Sequence, residues 1–350
     1  MAAYTAIDDP EAYFQVQLYT GDGAANNAIT LGGDTNMQPD FVWIKNRDAT
    51  DTHCLFDSVR GATKLLTTVG DVLETTDTDT LDSFASDGFQ VDADVKVNTD
   101  AEKYVAWCWK AGTTGSGTTS GSGTGKAYSY SVNTTSGVSI VTYVANGTAA
   151  HTIPHHLGVA PNMVICKSRS ENRGWPVQHQ GLVDASYSVF FSTTAATSSG
   201  TNSWNSTAAS STVTTLGNNA NNNKNDDSYI MYAFVGKQGF SKVGSYEGNG
   251  DVDGTFVYTG FRPAFVLTKS IDSTSSWHMF DDQREGYNVD NDALVVEATT
   301  VEATADQIDL LSNGFKFRIA TDPNVAETYI YMAFAKAPFV NSEGVPCNAR

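Results

Sequence analysis

One sequence pattern occurs three times along the chain. In each copy a lysine follows a proline after six residues, and a tyrosine that opens an apolar, aromatic run follows at nearly the same interval. The prolines are Pro39, Pro161 and Pro263, the lysines are Lys45, Lys167 and Lys269, and the tyrosines are Tyr104, Tyr229 and Tyr329. Copies of nearly equal length with the same landmarks predict three folding units, and a protein of that kind usually works through several surfaces, not through one deep catalytic cleft.

The repeats divide the chain of 350 residues, which is too long for one ordinary core. We expect a lead-in and first repeat over 1–112, a linker over 113–125, a second repeat over 126–237, a third over 238–340 and a polar tail over 341–350. The linker is almost pure Gly, Ser and Thr, a composition typical of a flexible tether. The second and third repeats should therefore pack as a rigid pair while the first swings, with the lead-in as the expected anchor.

Strand signals dominate each repeat. After Tyr104 the residues alternate, so that Val105, Trp107 and Trp109 fall on one face of a strand, and both faces are largely apolar. Such a strand belongs in the middle of a sheet that is covered on both sides. The fold class predicted is mainly β, with three tandem β-sandwich or jelly-roll-like repeat domains.

Charge limits the partners. The net charge is -18, which repels phosphate backbones and anionic lipid headgroups, so neither nucleic acid nor a membrane is an expected partner. The first residues have no basic and apolar signal-peptide pattern, and no apolar run approaches the length of a membrane span. We expect synthesis in a cytoplasm, which is compatible with later incorporation into an extracellular particle.

A Phe-Asp-x-x-Arg pattern occurs at the same offset in two repeats. Asp57 with Arg60, and Asp281 with Arg284, could be acids and anion clamps of an active site. The preferred interpretation is a structural Asp–Arg pair that closes a turn, since no matching nucleophile accompanies it. In the second repeat His179 and Leu182 occupy these positions.

A ring follows each repeat lysine after eight residues. These rings are His53, Trp175 and Trp277. They are candidate stacking platforms for a carbohydrate, because an exposed ring offers an apolar face to a sugar; the alternative is that they turn into the core.

Other titratable residues give no metal or catalytic pattern. His151, His155 and His156 lie close together without a neighbouring acid or thiol at ligand spacing, so solvated loop histidines are expected. Pairs of acids suggest a glycosidase or bound Ca²⁺, but neighbouring acids on a strand point to opposite faces and no EF-hand spacing is evident. The pairs are Asp226 with Asp227, Asp281 with Asp282, and Asp290 with Asp292. No catalytic residue, metal or cofactor is predicted.

Several strings resemble a known repeat domain. They are QPDFVWIKNR, HCLFDSVRGATK, SDGFQV and YVAWCWKAG in the first repeat, echoed by RPAFVLTK, WHMFDDQREG, SNGFKF and YIYMAFAKAPFVNSEGV in the third. They are similar to the repeat domain of structural proteins in marine tailed bacteriophages, which are often described as tail-fibre-like or virion proteins. The second repeat departs from this pattern at Phe-Asp-x-x-Arg.

The resemblance implies a β-rich component of a phage particle. The expected function is that of a non-enzymatic virion protein, a tail fibre or receptor-facing appendage that uses repeated modules for reach and multivalent attachment. Its expected partners are other virion proteins and a host glycan or protein receptor, and a homo-oligomer, such as a trimer, would suit a fibre. The alternatives are a capsid decoration or head-fibre protein, a lectin-like adhesin and, last, a polysaccharide depolymerase.

Overall fold

The computed structural model describes residues 4–284, 288 and 292–347, and the regular secondary structure of these residues consists almost entirely of antiparallel strands. The helical elements of the described ranges are a 3₁₀ turn at Pro10–Ala12 and two single-turn helices, α1 (Val95–Asn98) and α2 (Ala220–Asn223). The prediction of a mainly β, sandwich-type fold is confirmed.

The strands fall into three segments. In the first segment, residues 4–112, they are β1 (Phe14–Thr20), β2 (Asn27–Thr30), β3 (Phe41–Asn46), β4 (Cys54–Asp57), β5 (Gly61–Leu66), β6 (Thr75–Thr76), β7 (Leu81–Ala85), β8 (Gly88–Val91) and β9 (Lys103–Trp109). In the second segment, residues 113–237, they are β10 (Thr113–Thr118), β11 (Ser120–Gly121), β12 (Ala127–Asn133), β13 (Val138–Val144), β14 (His151–Pro154), β15 (Met163–Ser168), β16 (Pro176–His179), β17 (Tyr187–Phe190), β18 (Ser198–Ser199), β19 (Val213–Leu216) and β20 (Ser228–Phe234). In the third segment, residues 238–347, they are β21 (Ser241–Glu247), β22 (Phe256–Tyr258), β23 (Phe261–Ser270), β24 (His278–Asp281), β25 (Leu294–Val295), β26 (Ile308–Leu311), β27 (Gly314–Phe317) and β28 (Thr328–Pro338).

Each segment pairs a large sheet with a three-stranded one. The large sheets have the orders β1-β9-β3-β4-β5-β6, β10-β12-β13-β20-β15-β16-β17-β18 and β21-β28-β23-β24-β25. In all three, the strand that begins near the repeat tyrosine lies next to the strand that holds the repeat lysine. The small sheets are β2-β8-β7, β11-β14-β19 and β22-β27-β26.

The central strand of each large sheet is buried on both faces. On β9, Val105, Trp107 and Trp109 belong to one core, whereas Tyr104 and the other alternate residues belong to a second core inside the first segment. This division is the one that the alternation in the sequence predicts.

The three segments share one core, which corrects the expectation of separate domains. The inner faces of all three large sheets meet in a single apolar cluster. At its centre lie Trp109, Phe234 and Phe334, the residues five places after each repeat tyrosine. Their ring centroids are 6.5 Å apart for Trp109 and Phe234, 6.2 Å for Phe234 and Phe334, and 5.8 Å for Trp109 and Phe334. The prediction that the first repeat swings free of the other two is therefore wrong.

The Gly/Ser/Thr stretch is also not a flexible linker. Residues 113–118 form β10, which pairs with β12 over its whole length, and 120–121 form β11, which pairs with β14. The composition leaves no large side chain to pack, but the backbone hydrogen bonds to β12 hold the stretch in the sheet.

The two ends of the described chain meet. The Ser342 backbone N–H donates to Asp8 Oδ1 at 2.7 Å, and Glu11 forms an ion pair with Lys336. The lead-in and the residues after β28 thus lie together, against the body that all three segments form.

Candidate functional site at the segment seams

The interface between two neighbouring segments is called a seam here. The Asp57–Arg60 pair closes a buried turn at the seam between the first and second segments. Asp57 Oδ1 accepts hydrogen bonds from the backbone N–H groups of Val59 and Arg60, and Arg60 Nε donates to Asp57 Oδ2 at 2.5 Å. The Tyr232 hydroxyl, from the second segment, donates to the same Oδ2 at 2.7 Å. The carboxylate thus stabilises its own turn and also forms a hydrogen bond with a side chain of the neighbouring segment.

The Asp281–Arg284 pair repeats this arrangement between the third and first segments. Asp281 Oδ1 accepts from the backbone N–H groups of Gln283 and Arg284, and Arg284 Nε donates to Oδ2 at 2.6 Å. Here the donor from the neighbouring segment is Trp107, whose indole N–H reaches Oδ2 at 3.0 Å. Trp107 and Tyr232 each stand three residues after a repeat tyrosine, so the two seams use equivalent positions.

His179 takes the place of the aspartate at the seam between the second and third segments. Its Nδ1 accepts from the Gly181 N–H at 2.9 Å, as the aspartate Oδ1 does in the other turns. Its Nε2–H donates to the Tyr331 carbonyl at 3.2 Å. Met332 occupies the position of Trp107 and Tyr232, and its side chain has no N–H or O–H to donate, so an imidazole that donates outward suits this seam.

Two of the seams carry a glutamate held between two arginines. Glu74 accepts from Arg60 of its own segment at 3.1 Å and from Arg169 of the second segment at 2.8 Å. Glu302 accepts in the same way from Arg284 at 3.0 Å and from Arg47 of the first segment at 2.6 Å.

The third seam is apolar at the corresponding positions. Leu182 replaces the arginine of the turn, and Ile271 stands two residues after the repeat lysine, where Arg47 and Arg169 stand in the other segments. Both side chains are buried in the shared core. The change in the second repeat therefore alters how this seam is held.

The guanidinium of Arg60 has no donor left for a substrate. Beyond Asp57 and Glu74, its two terminal nitrogens donate to the backbone carbonyls of Lys64 and Leu55, at 2.8 and 2.9 Å, and the fifth N–H donates to the Tyr232 hydroxyl oxygen at 3.4 Å. An arginine saturated in this way stabilises the turn and is not placed to clamp an anion from solution.

The predicted sugar-stacking rings are buried, which corrects that prediction. His53 is 0% exposed, Trp175 is 0% exposed and Trp277 is 1% exposed. Two of them cross seams: His53 Nε2–H donates to the Val295 carbonyl at 2.9 Å, and Trp277 Nε1–H donates to the Phe190 carbonyl at 3.0 Å. The polar loops that precede these rings turn inward, so none of the three rings offers an open face to a sugar.

The three repeat lysines are buried with their ammonium groups among carbonyls. Lys167 Nζ donates to the Asp71 carbonyl of the first segment at 3.1 Å, and Lys269 Nζ donates to the Thr194 carbonyl of the second at 3.2 Å. Burial lowers the pKa of Lys45, Lys167 and Lys269 to about 8. Lys167 and Lys269 thus tie neighbouring segments together, whereas Lys45 Nζ donates to the Asn46 and Ala49 carbonyls of its own segment.

A large cleft opens where the second and third segments meet the two chain ends. Its volume is about 550 Å³, and Tyr4, Asn162, Gln180, Lys242 and Tyr258 are among its lining residues. The Tyr4 side chain is 54% exposed and that of Tyr258 is 53% exposed. Sequence reasoning missed this cleft, because its residues come from six separate stretches of the chain.

A smaller cleft of about 250 Å³ lies between the first and third segments. It contains two carboxyl groups, those of Glu11 and Asp282. Glu11 is held by Lys336 and by the Asp34 N–H, and burial raises the pKa of Asp282 to about 6. Both oxygens of Glu11 thus have protein partners.

A model of a family described as a domain of unknown function, DUF7483, matches residues 9–338. The chain belongs to the DUF7483 family. One family model spans all three segments, as does the shared core. No curated protein and no solved structure matches the chain significantly.

The histidine cluster of this DUF7483 chain differs from the expectation of solvated rings. His151 and His155 are fully buried; His151 contacts Thr119 Oγ1 at 2.7 Å, and His155 Nε2–H donates to the Ser210 carbonyl at 3.0 Å. Within the described ranges, no group of three or more His, Cys, Asp or Glu side chains is placed to hold a metal ion. In the same part of the chain, no helix has the length and hydropathy to span a bilayer.

The acidic pairs do not act as pairs in the DUF7483 chain. Asp226 forms an ion pair with Lys126, whereas Asp227 forms one with Arg173. Asp281 is buried in its turn, where it pairs with Arg284, whereas Asp282 lines the smaller cleft between the same two segments. Asp290 lies outside the described residues.

A buried asparagine in each segment escaped the sequence analysis. Asn98, Asn223 and Asn324 each donate from the side-chain amide to backbone carbonyls of a nearby loop, such as Ala24 O at 2.8 Å from Asn98. Two of them lie six residues before the repeat tyrosine, and that spacing was the available signal.

Proposed function

We propose that the chain is a non-enzymatic structural protein of a tailed-bacteriophage virion, a module of a tail fibre or of another receptor-facing appendage. The observation that carries the proposal is the closure of three similar segments around one aromatic core, with hydrogen bonds across every seam. A body of this kind resists deformation, because no segment can move without exposing core surface. Resistance to load is what an external part of a particle needs.

The resemblance to repeat domains of marine phage proteins supports the same function. It lies in the segments whose aspartate–arginine turns hold the seams, so the shared strings are those that build the body. The expected partners are other virion proteins, further copies of the chain and a glycan or protein receptor on the host. A place on the capsid, as a decoration or head-fibre protein, would use the same body.

Labelling of intact particles tests the proposal. An antibody raised against the full recombinant chain should label purified virions of the phage that encodes it, and mass spectrometry of the same particles should detect the chain. Label on the tail supports an appendage and label on the head supports the capsid alternative. Absence of the chain from purified particles would overturn the proposal, and cleavage of host polysaccharide by the purified chain would overturn the non-enzymatic assignment.

A further inference from the structure

The large cleft has a local charge opposite to that of the chain. Its described lining includes one cation, Lys242, and no carboxylate, although the whole chain has a net charge of -18. Lys242 forms no ion pair with any described residue. A cationic spot in an acidic protein attracts an anionic group in preference to a neutral one.

The ammonium group of Lys242 is held in place. Its Nζ donates to the Tyr258 carbonyl at 2.6 Å and lies 5.4 Å from the centroid of the Tyr258 ring. An ammonium group has three N–H donors, so two remain for a ligand. The position of the charge is thus fixed before a ligand arrives, which reduces the entropic cost of binding.

The rest of the lining combines exposed rings with fixed amides. Tyr4 and Tyr258 are each more than half exposed. Asn162 Oδ1 accepts from the Gly236 N–H at 2.7 Å, Asn162 Nδ2 donates to Gln180 Oε1 at 2.6 Å, and Gln180 Nε2 donates to the Val243 carbonyl. Each amide nitrogen carries a second N–H that these hydrogen bonds do not use.

We propose that this cleft binds a saccharide that carries an acidic group, with Lys242 paired to the anion. The tyrosine rings suit the apolar faces of sugar rings, and the amides of Asn162 and Gln180 suit hydroxyl groups. A single cation among neutral donors matches one acidic group per few sugar units better than a run of phosphates. The inference deepens the proposed function, on which it rests for the biological role of the ligand, by naming the class of receptor.

Binding of the full recombinant chain to a glycan array tests this inference. The array should contain uronic-acid, sialylated and sulfated oligosaccharides together with neutral ones of similar length. We expect binding to acidic members, weakened about tenfold or more by Lys242→Met and by Tyr258→Ala, which corresponds to the loss of one good contact. Lys242→Arg keeps the charge and should keep most of the binding.

Phe256→Ala is the matched control. Phe256 lies two residues before Tyr258 on the same face of β22, is 44% exposed and does not line the cleft. Its removal should leave binding within about twofold, and all variants are compared at equal folded fraction by thermal melting. If Lys242→Met fails to fold, the comparison of Tyr258→Ala with Phe256→Ala tests the inference by itself.

Two results would overturn the inference. They are no binding to any acidic glycan at millimolar concentration, and binding to neutral glycans that Lys242→Met does not change. Each of these leaves the location on the particle untouched, because antibody labelling measures it separately. Conversely, acidic-glycan binding by a chain that is absent from virions would overturn the proposed function but would support the cleft as a glycan-binding site.

Discussion

The residues at the three seams differ in a correlated way. Where a neighbouring segment offers a donor, Tyr232 or Trp107, the turn presents an aspartate oxygen to accept it. Where the neighbour offers only the backbone carbonyl of Tyr331, the turn presents the N–H of His179. Each buried polar group thus meets a complementary partner, which is the condition for burying it without a large loss of stability.

Asp57→Asn tests whether the buried pair holds the seam. The substitution keeps the shape but removes the buried carboxylate 2.5 Å from Arg60 Nε and leaves Arg60 only its ion pair with Glu74, so we expect a loss of about 3–5 kcal/mol in the free energy of unfolding. Denaturant titration measures it. The control is Asp226→Asn, which removes a pair whose aspartate side chain is 67% exposed and should cost less than about 1 kcal/mol. Equal effects at the two positions would contradict a structural role for Asp57.

Buried histidines predict a loss of stability in mild acid. Burial lowers the pKa of His53 to about 3 and that of His179 to about 4, whereas both titrate near their ordinary value in the unfolded chain. Their contribution is therefore complete above about pH 6.5 and is lost as the pH falls toward the folded pKa values. Asp282 acts in the opposite direction, since burial raises its pKa to about 6.

His179→Gln isolates one of these groups. A glutamine amide can still donate to the Tyr331 carbonyl but does not titrate, so the free energy of unfolding should fall less steeply than in the wild type between about pH 6.5 and about pH 4.5. Urea titrations at a series of pH values provide the comparison. Parallel slopes for the two proteins would show that His179 is not buried in its neutral form.

At the scale of elements, the central strands could be predicted and the pairing of the glycine-rich stretch could not. The alternation along β9 and β20 is a local signal, because successive side chains point to opposite faces. Residues 113–118 have no such signal, since small side chains are equally common in tethers and in edge strands. Their place beside β12 depends on backbone hydrogen bonds, which leave no trace in composition.

The candidate sites show the same limit. The aspartate–arginine turns are local, three residues apart, and their interpretation as turns needed no partner from elsewhere. The burial of Trp175 and Trp277 depends on neighbouring segments, which a reading of each repeat alone leaves out. The large cleft likewise joins Tyr4 to Tyr258, and no spacing in the sequence connects the two.

Valine substitutions on β10 test whether the stretch is a strand. A Cβ added at Gly115 would lie 2.6 Å from the Tyr130 hydroxyl oxygen, and one at Gly117 would lie 2.8 Å from that of Tyr128. Gly115→Val and Gly117→Val should therefore each destabilise the protein by about 1–3 kcal/mol through overpacking, lowering the melting temperature. Ser116→Val, on the opposite face of the same strand and away from these tyrosines, should be nearly neutral. Equal tolerance at all three positions would indicate a free tether.

At the scale of the molecule, the shared core makes the three segments fold as one cooperative unit and not as independent modules. Each large sheet is apolar on two faces, and only its outer face is covered by the small sheet of its own segment. The inner face needs the other two segments, so a segment alone would expose residues such as Ile230 and Tyr232 to water. The repeats therefore build one body, and its attachment to more than one receptor would require several copies of the whole chain.

Trp109→Ala tests this cooperativity directly. Trp109 belongs to the first segment but contacts Phe234 of the second and Phe334 of the third, and removal of a buried indole costs about 3–5 kcal/mol. Because the core is continuous, hydrogen–deuterium exchange should rise on β9, β20 and β28 together, by similar factors. Circular dichroism and tryptophan fluorescence should also follow one coincident transition on heating. Faster exchange confined to the first segment, or two separate transitions, would mean that the segments unfold independently and that the aromatic contacts among them add little.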